Sequence, residues 1–383
     1  MAPAVARSPS YFVLRFPAMA ENHLSRRDFL ASGAVMAASA TMHAQGSASH
    51  GRSQPPPRSN PAEPIRILTA TAFEPHELEK IKSAAPNIEL IAVKSPAEFR
   101  QRLPEAEVII GNLTGADLAS ASKVRWVQTG AAGVESIDKA FMASPIVLTN
   151  CARIFAPAIT ETAMGFLICL TRGITTLYMP QFAKRQMKGV GTVKSAHHVE
   201  LAGKTMGIVG MGGIGSTLAR RAHYGFDMKV VGTDARPLPK PEYVAELHDP
   251  SWFQTMVPQV DVLVAAAPQT PLTERMFNEQ VFRSMKKTGY FLALSRGTLF
   301  DDMALVKALQ EGWIAGAGLD VFPQEPPPVD HPIFDCRNVV MTAHTSGWSP
   351  DRQVRLINLY AENVRRYAIG APLINVVDKH AGY

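Results

Sequence analysis

The chain has 383 residues, 46% of them apolar and 19% charged, with three cysteines and a formal net charge of +6. That apolar content is ample for two packed domains, and three widely separated cysteines without a C-x-x-C suit a fold that does not depend on disulfides. Residues 1–44 carry +2 of the charge, Arg220-Arg221 and Lys286-Lys287 read as isolated solvated doublets, and no basic stripe with interleaved aromatics occurs, which excludes nucleic-acid binding.

Residues 1–44 read as a twin-arginine export signal. Ser25-Arg26-Arg27-Asp28-Phe29-Leu30 precedes a mildly apolar run at 31–41, and small residues at Ala38-Ser39-Ala40 or at Ala44 suit a signal peptidase. The run falls short of the ~20 apolar residues that a bilayer-spanning helix needs. A periplasmic protein with no stable membrane anchor after cleavage is therefore expected. An ordinary basic start to a cytoplasmic enzyme is the alternative, and Met19 is a second candidate start. Residues 45–64, with Gln54-Pro55-Pro56-Pro57, form a Gly/Ser/Pro/Arg tract expected to be a disordered linker.

From Ile65 onward, strands at 65–69, 88–93, 108–110, 124–128 and 146–149 alternate with helices at 75–84 and 96–103. Such alternation argues for a parallel sheet covered on both faces. A long helix follows, opened by Ala156-Pro157 with proline at a tolerated first-turn position and continuing to about Leu177.

The pattern restarts at a strand, 205–209, that runs into Gly210-Met211-Gly212-Gly213-Ile214-Gly215 and a helix pattern at 216–223. A second strand, 228–231, then ends in Gly232-Thr233-Asp234, with the acid nineteen residues past Gly215. Strand, glycines, helix, strand and acid in register mark a dinucleotide-binding βαβ unit. Gly210 allows the tight turn, Gly212 lets the backbone approach a pyrophosphate, and Gly215 lets helix pack close on strand. The helix N-terminus offers unpaired N–H groups to the phosphates. Asp234 is placed to accept hydrogen bonds from an adenosine ribose.

Strands at 262–266, 290–294, 315–319 and 339–341 follow, with helices at 279–284, 302–311 and 351–368. The expected fold is α/β, with two Rossmann- or flavodoxin-like parallel-sheet domains and a ligand cleft between them. The unit without the phosphate fingerprint, residues 65–160, is the candidate substrate domain, and 161–348 the candidate cofactor domain.

Three residues carry the chemistry. Arg296, Glu325 and His344 each lie just past the carboxyl end of a predicted strand, so they leave the same edge of one parallel sheet, where open α/β folds place ligands. A guanidinium binds a carboxylate and polarises a neighbouring carbonyl. An imidazole hands a proton to a ketone oxygen or takes one from an alcohol. A carboxylate beside it fixes the tautomer and keeps the acid form available for reduction. With a dinucleotide, these groups suit hydride transfer between 2-hydroxy and 2-oxo acids. No metal site is expected.

From about Ile65 to Tyr383 the chain resembles the NAD-dependent D-isomer-specific 2-hydroxyacid dehydrogenases. The motifs that carry the resemblance run from Trp126 through Gly133 to Asp138, from Asn150 through Pro157 to Glu161, and through the glycine fingerprint. They continue with Ala267-Pro268-Gln269-Thr270, Ser295-Arg296-Gly297, Gly318 through Asp320 to Glu325-Pro326, Thr342-Ala343-His344 and the tail from Asn375 to Tyr383. The resemblance implies a catalytic triad of Arg296, Glu325 and His344. It also implies a substrate carboxylate held by the backbone N–H groups of Ala132 and Gly133 together with Arg296.

Cofactor contacts are implied at Gly210, Gly212, Gly213, Ile214, Gly215, Asp234, Pro268, Ser295, Asp320 and His344, with Asp320 on the nicotinamide carboxamide. The substrate domain should be discontinuous, with 349–383 returning to it, and a homodimer through the cofactor domain is expected. NAD is the expected cofactor because Asp234 would repel a 2′-phosphate, while Arg236 leaves NADP open. The expected activity is reduction of a small 2-oxo acid such as glyoxylate or hydroxypyruvate.

The sequence departs from the family pattern at Thr162, where histidine often follows Glu161, and at Ala293-Leu294-Ser295, where Asn-x-(Ala/Ser) is usual. Trp348 lies close to His344 in sequence, either lining the pocket or packing. Two other readings stay open: a dinucleotide-binding sensor of the kind the C-terminal binding protein corepressors represent, and a sibling formate or phosphonate dehydrogenase. Retention of the whole triad speaks against the first. Glu325, where the formate enzymes usually carry glutamine, speaks against a formate enzyme.

Overall fold

The computed structural model describes residues 54–55, 63–186 and 198–383. The expected export signal and most of the expected linker lie outside the described residues. Among those that are described, no single helix is long and apolar enough to cross a membrane.

The first sheet is built from β1 (Ile65–Thr69), β2 (Ile88–Ala92), β3 (Val108–Ile110), β4 (Trp126–Gln128) and β5 (Val147–Thr149). All are parallel, in the order β2-β1-β3-β4-β5. Helices α1 (Pro75–Lys82), α2 (Pro96–Arg102) and α3 (Lys139–Ala143) cover its faces. Their starts follow local chemistry. Glu74 and Glu77 form a reciprocal capping box at α1. Ser95 caps α2 by accepting from Glu98 N, with Pro96 in the first turn.

The second sheet contains β6 (Thr205–Val209), β7 (Lys229–Thr233), β8 (Glu246–His248), β9 (Val262–Ala265), β10 (Tyr290–Ala293), β11 (Gly316–Leu319) and β12 (Val339–Met341). It too is wholly parallel, ordered β12-β11-β10-β9-β6-β7-β8. The strand order reverses between β6 and β9, the position where such sheets open a ligand crevice. Helix α4 (Ala156–Thr171) buries Ala163, Phe166, Leu167 and Leu170 against Met206, Ile208 and Leu292 of this sheet.

Two helices differ from expectation. Helix α4 stops at Thr171 rather than near Leu177, because Gly173 takes a left-handed φ of +63° and a wide turn, Ile174–Tyr178, follows. Helix α5 (Gly213–Phe226) begins inside the glycine fingerprint, earlier than the apolar pattern suggested. Packing overrides the poor helix propensity of glycine here: a Cβ on Gly215 would lie 2.0 Å from the Gly210 carbonyl oxygen. The edge strand β8 was missed because its residues are half-buried or exposed and carry no apolar alternation.

Helices α6 (Glu279–Ser284) and α7 (Asp302–Gln310) flank β10 and β11, and the last helix, α8 (Pro350–Ala368), leaves the second sheet and returns to the first. Its Leu356, Tyr360, Val364 and Tyr367 share one core with Ile65, Ile67, Val108 and Trp126. The unit built on the first sheet is thus discontinuous in sequence.

The basic doublets are not simply solvated. Arg221 donates to Pro157 O at 2.7 Å, to Thr160 Oγ1 at 2.8 Å and to Glu161 Oε1 at 2.9 Å, pinning α5 to the first turn of α4. Lys286 donates to Asp261 at 2.8 Å. Cys151 is fully buried, and burial pushes its thiol up to about 12, so it is a core group and not a nucleophile.

A buried polar chain locks α8 onto the first sheet. Asn363 donates to Gln128 Oε1 at 2.9 Å and to Ile374 O at 3.1 Å, while accepting from Ile374 N at 2.8 Å. Gln128 Oε1 also accepts from Thr149 Oγ1, which in turn accepts from the Trp126 indole at 2.7 Å. Replacing Asn363→Ala strands the backbone groups of Ile374. Such stranding costs about 1–3 kcal/mol of unfolding free energy, which should appear as a lowered midpoint in urea unfolding followed by tryptophan fluorescence.

Candidate active site

A cavity of 450 Å³ lies between the two sheets, lined from one side by Ala132, Gly133, Arg153 and Arg352 and from the other by Gly212, Gly213, Arg236, Ser295, Arg296, Asp320 and His344. Pro268 and Ile214 line it as well. The carboxyl ends of β6, β10, β11 and β12 feed it, so topology alone brings together residues far apart in sequence.

His344 and Glu325 meet directly. Nδ1 of the imidazole lies 2.7 Å from Glu325 Oε2, and the other carboxylate oxygen accepts from Phe322 N at 2.8 Å. The acid is therefore held at both ends, and Nε2 is the nitrogen left for a substrate. His344 adopts a left-handed φ of +54°, uncommon for a residue with a Cβ. Asp320 holds it there. This carboxylate, only 1% exposed, accepts from Thr342 Oγ1 at 2.6 Å, from the backbone N–H groups of Thr345 and Ser346 at 3.0 Å, and from the Ser346 hydroxyl. Its carbonyl accepts from His344 N at 2.7 Å. Asp320 thus organises the histidine turn, a task beyond the carboxamide contact inferred from sequence.

Arg296 comes from the turn after β10 and crosses the cleft to Glu135. Its Nε donates to Glu135 Oε1 at 2.9 Å and its Nη2 to Oε2 at 3.4 Å, while Nη1 donates to Ser295 O at 2.7 Å. The guanidinium edge formed by Nε and Nη2 is occupied, and one N–H each on Nη1 and Nη2 remains for a ligand. Sequence reasoning passed over Glu135, whose partner lies 161 residues away. Gly133 accommodates the crossing, since a Cβ there would stand 1.8 Å from Arg296 Nη2. The backbone N–H groups of Ala132 and Gly133 meet no acceptor among the described residues.

The glycine loop fits a dinucleotide. Gly210 takes φ +94° and abuts Ala267, and the first turn of α5 opens onto the cavity with its N–H groups unpaired by the helix. Asp234 closes β7 with Oδ2 accepting from Met211 N at 2.8 Å and Oδ1 accepting from Arg236 N at 2.9 Å and Nε at 3.2 Å. Arg153 packs its stem against Gly213, and Tyr383, the last residue, lines the same end with Arg236 lying 5.8 Å from its ring centroid. Neither Arg153 nor Tyr383 belonged to a sequence motif with an assigned role.

The chain is similar to known proteins over most of its length. The sequence model for the NAD-binding domain of D-isomer specific 2-hydroxyacid dehydrogenases matches residues 164–346. The chain is 32% identical over 320 residues to a glyoxylate reductase of Korarchaeum cryptofilum, covering 80% of this chain and 91% of that protein. It is 30% identical over 285 residues to glyoxylate/hydroxypyruvate reductase B of Yersinia pestis, covering 73% and 86%. Among solved structures, an NADPH-dependent glyoxylate/hydroxypyruvate reductase of Sinorhizobium meliloti with NADP and sulfate superposes with a TM-score of 0.69 at 26% identity, over 83% of this chain and 100% of that one.

The tight fit at Gly133 generates a test. Gly133→Ala should displace the Arg296 guanidinium and lower kcat/KM for a 2-oxo acid by about tenfold or more, the loss of one charge-assisted contact. Dinucleotide affinity, measured by fluorescence titration with NADH and NADPH, should change little.

Proposed function

The chain belongs to the D-isomer specific 2-hydroxyacid dehydrogenase family and is a nicotinamide-dependent oxidoreductase acting on CH–OH groups; from that premise we propose that it reduces a small 2-oxo acid of the glyoxylate or hydroxypyruvate type. The observation that carries this reading is the pairing of His344 with Glu325 at 2.7 Å in the cleft that also holds Arg296 and the glycine loop.

The hydride comes from the reduced nicotinamide when it is bound. The protein residues supply the rest. The free N–H groups of Arg296, with those of Ala132 and Gly133, receive the substrate carboxylate and polarise the carbonyl. Glu325 accepts from His344 Nδ1–H, which leaves the Nε2 proton to pass to the carbonyl oxygen as the alcohol forms. In the oxidative direction the same nitrogen takes that proton back. Glu135 and Ser295 O fix the plane of the guanidinium, so its remaining donors need not be ordered when substrate arrives.

NAD is the cofactor, and NADP is compatible with the site. The Asp234 carboxylate disfavours a 2′-phosphate, yet Arg236 already pairs with it, and Arg153 adds a second cation to this end of the cleft. Asp234 and the pocket together describe a binding site that tilts toward NAD without excluding its phosphorylated form.

The assay that tests the reading follows oxidation of NADH and NADPH at 340 nm with glyoxylate, hydroxypyruvate and pyruvate. Turnover with at least one acid is expected; none with any acid would leave a dinucleotide-binding sensor as the better account. His344→Gln should lower kcat by about two to four orders of magnitude with dinucleotide binding nearly intact. Unchanged turnover would mean that the proton comes from elsewhere.

The same reading includes export. Arg26-Arg27 ahead of Phe29-Leu30 and the small-residue run support the twin-arginine route, which moves folded proteins and would let the chain leave with its dinucleotide bound. Replacing both arginines with lysine should shift the protein from the periplasmic to the cytoplasmic fraction. An unaltered distribution on fractionation would refute the signal.

A further inference from the structure

The substrate side of the cleft holds a cation that the hydride-transfer chemistry leaves unused. Arg352, in the first turn of α8, lines the cavity that Arg296 and His344 also line. Its guanidinium carbon sits 4.1 Å from the centroid of the Trp348 ring and 5.7 Å from that of Phe155, so aromatic faces flank it. Its Nε is buried without a hydrogen-bond partner. No carboxylate pairs with this guanidinium among the described residues, where most of the arginines engage a carboxylate or a carbonyl.

This arrangement asks for an anion. The guanidinium lies over the Trp348 ring, and its Nη1 and Nη2 donate to no group among the described residues. The buried Nε is closed to a ligand, so an anion in the cavity is met by the Nη donors. The neighbouring charges do not supply that oxygen. Asp320 is saturated by the histidine turn, Glu325 is held by His344 and Phe322, and Glu135 is held by Arg296. Arg153 and Arg236 serve the glycine-loop end.

We infer that Arg352 is a specificity residue for a second anionic group, so that the preferred substrate is a 2-oxo acid carrying a carboxylate or phosphate at the end remote from its 2-oxo acid group. The inference rests on the reading of the site as a 2-oxo acid reductase and narrows its substrate class. The first carboxylate goes to Arg296 and the Ala132–Gly133 N–H groups, and the second anion goes to Arg352 over Trp348. A glyoxylate-sized acid fills only the first position.

Matched substrates test it on the purified protein. With NADH or NADPH, kcat/KM is measured for 2-oxoglutarate against 2-oxovalerate, and for 3-phosphohydroxypyruvate against hydroxypyruvate. The first pair probes a carboxylate and the second a phosphate. The doubly anionic member of at least one pair should be favoured by about tenfold or more, the value of a charge-assisted contact. Arg352→Met, which keeps a stem between the two rings, should reduce that ratio about tenfold, chiefly through KM, and Arg352→Lys should restore part of it.

A wild-type ratio near one in both pairs overturns the inference while leaving the reductase reading intact. So does an Arg352→Met variant that slows all four acids equally, which would mark a packing role. Absence of turnover with every acid overturns both. If Arg352→Met does not fold, the wild-type ratios and the lysine variant still decide.

Discussion

The Asp320 carboxylate is the interaction on which the site depends. It is buried at the carboxyl end of β11 and takes donors from Thr342, Thr345 and Ser346. A buried charge without partners would be expelled or neutralised, so these donors are what allow it to exist. In return it forces the chain between 342 and 346 to wrap around one point. His344 lies inside that wrap, with its left-handed backbone and its N–H on the Asp320 carbonyl. The left-handed conformation costs roughly 1–2 kcal/mol, whereas each charge-assisted hydrogen bond contributes about 1.5–3 kcal/mol. The turn's hydrogen bonds therefore outweigh its strain, and the imidazole is presented before any ligand binds.

Charge is distributed along the cleft in a way that assigns its ends. Four arginines, 153, 236, 296 and 352, line one cavity with a single buried acid, Asp320, whose charge is spent internally. Arg153 and Arg236 stand beside the glycine loop, Arg296 is paired with Glu135, and Arg352 lies over Trp348. Clefts of one sign concentrate oppositely charged ligands and raise their arrival rate. Both ligands of this family are anions, so one field serves dinucleotide and substrate. The aromatic residues separate the ends: Tyr383 lies with Arg236, and Trp348 and Phe155 with Arg352.

Much of this was legible in the sequence, and the reasons are particular. The strands of both sheets are short apolar runs between turn residues, because a parallel sheet is buried on both faces. The glycine fingerprint is legible because close backbone approach admits no other residue type. Arg296, Glu325 and His344 could be grouped because each follows a strand, and parallel strands share one carboxyl edge. What could not be seen were the contacts across the cleft. Glu135 and Arg296 are 161 residues apart, and nothing local to either marks the other. The end of α4 was misjudged because an apolar pattern continues past Gly173, while the glycine's left-handed conformation ends the helix. The edge strand β8 escaped for the opposite reason, having a backbone ladder on β7 but no apolar periodicity.

The Glu135–Arg296 pair shows how a carboxylate can serve a site built to bind carboxylates. A guanidinium offers five N–H donors in one plane, and a free arginine side chain must lose rotamer freedom before it can present them. Here Glu135 takes the Nε–Nη2 edge and Ser295 O takes one hydrogen of Nη1, so the plane is fixed by groups at two points. Two donors are left over, one on Nη1 and one on Nη2. Glycine at 133 is what permits Glu135 and Arg296 to meet beside the Ala132–Gly133 backbone, since any Cβ would stand in the guanidinium itself. One residue without a side chain, one acid and one carbonyl thus convert a flexible cation into a rigid pair of donors beside two free backbone N–H groups. Donors fixed in this way need not be ordered when an anion arrives, which reduces the entropic cost of binding it.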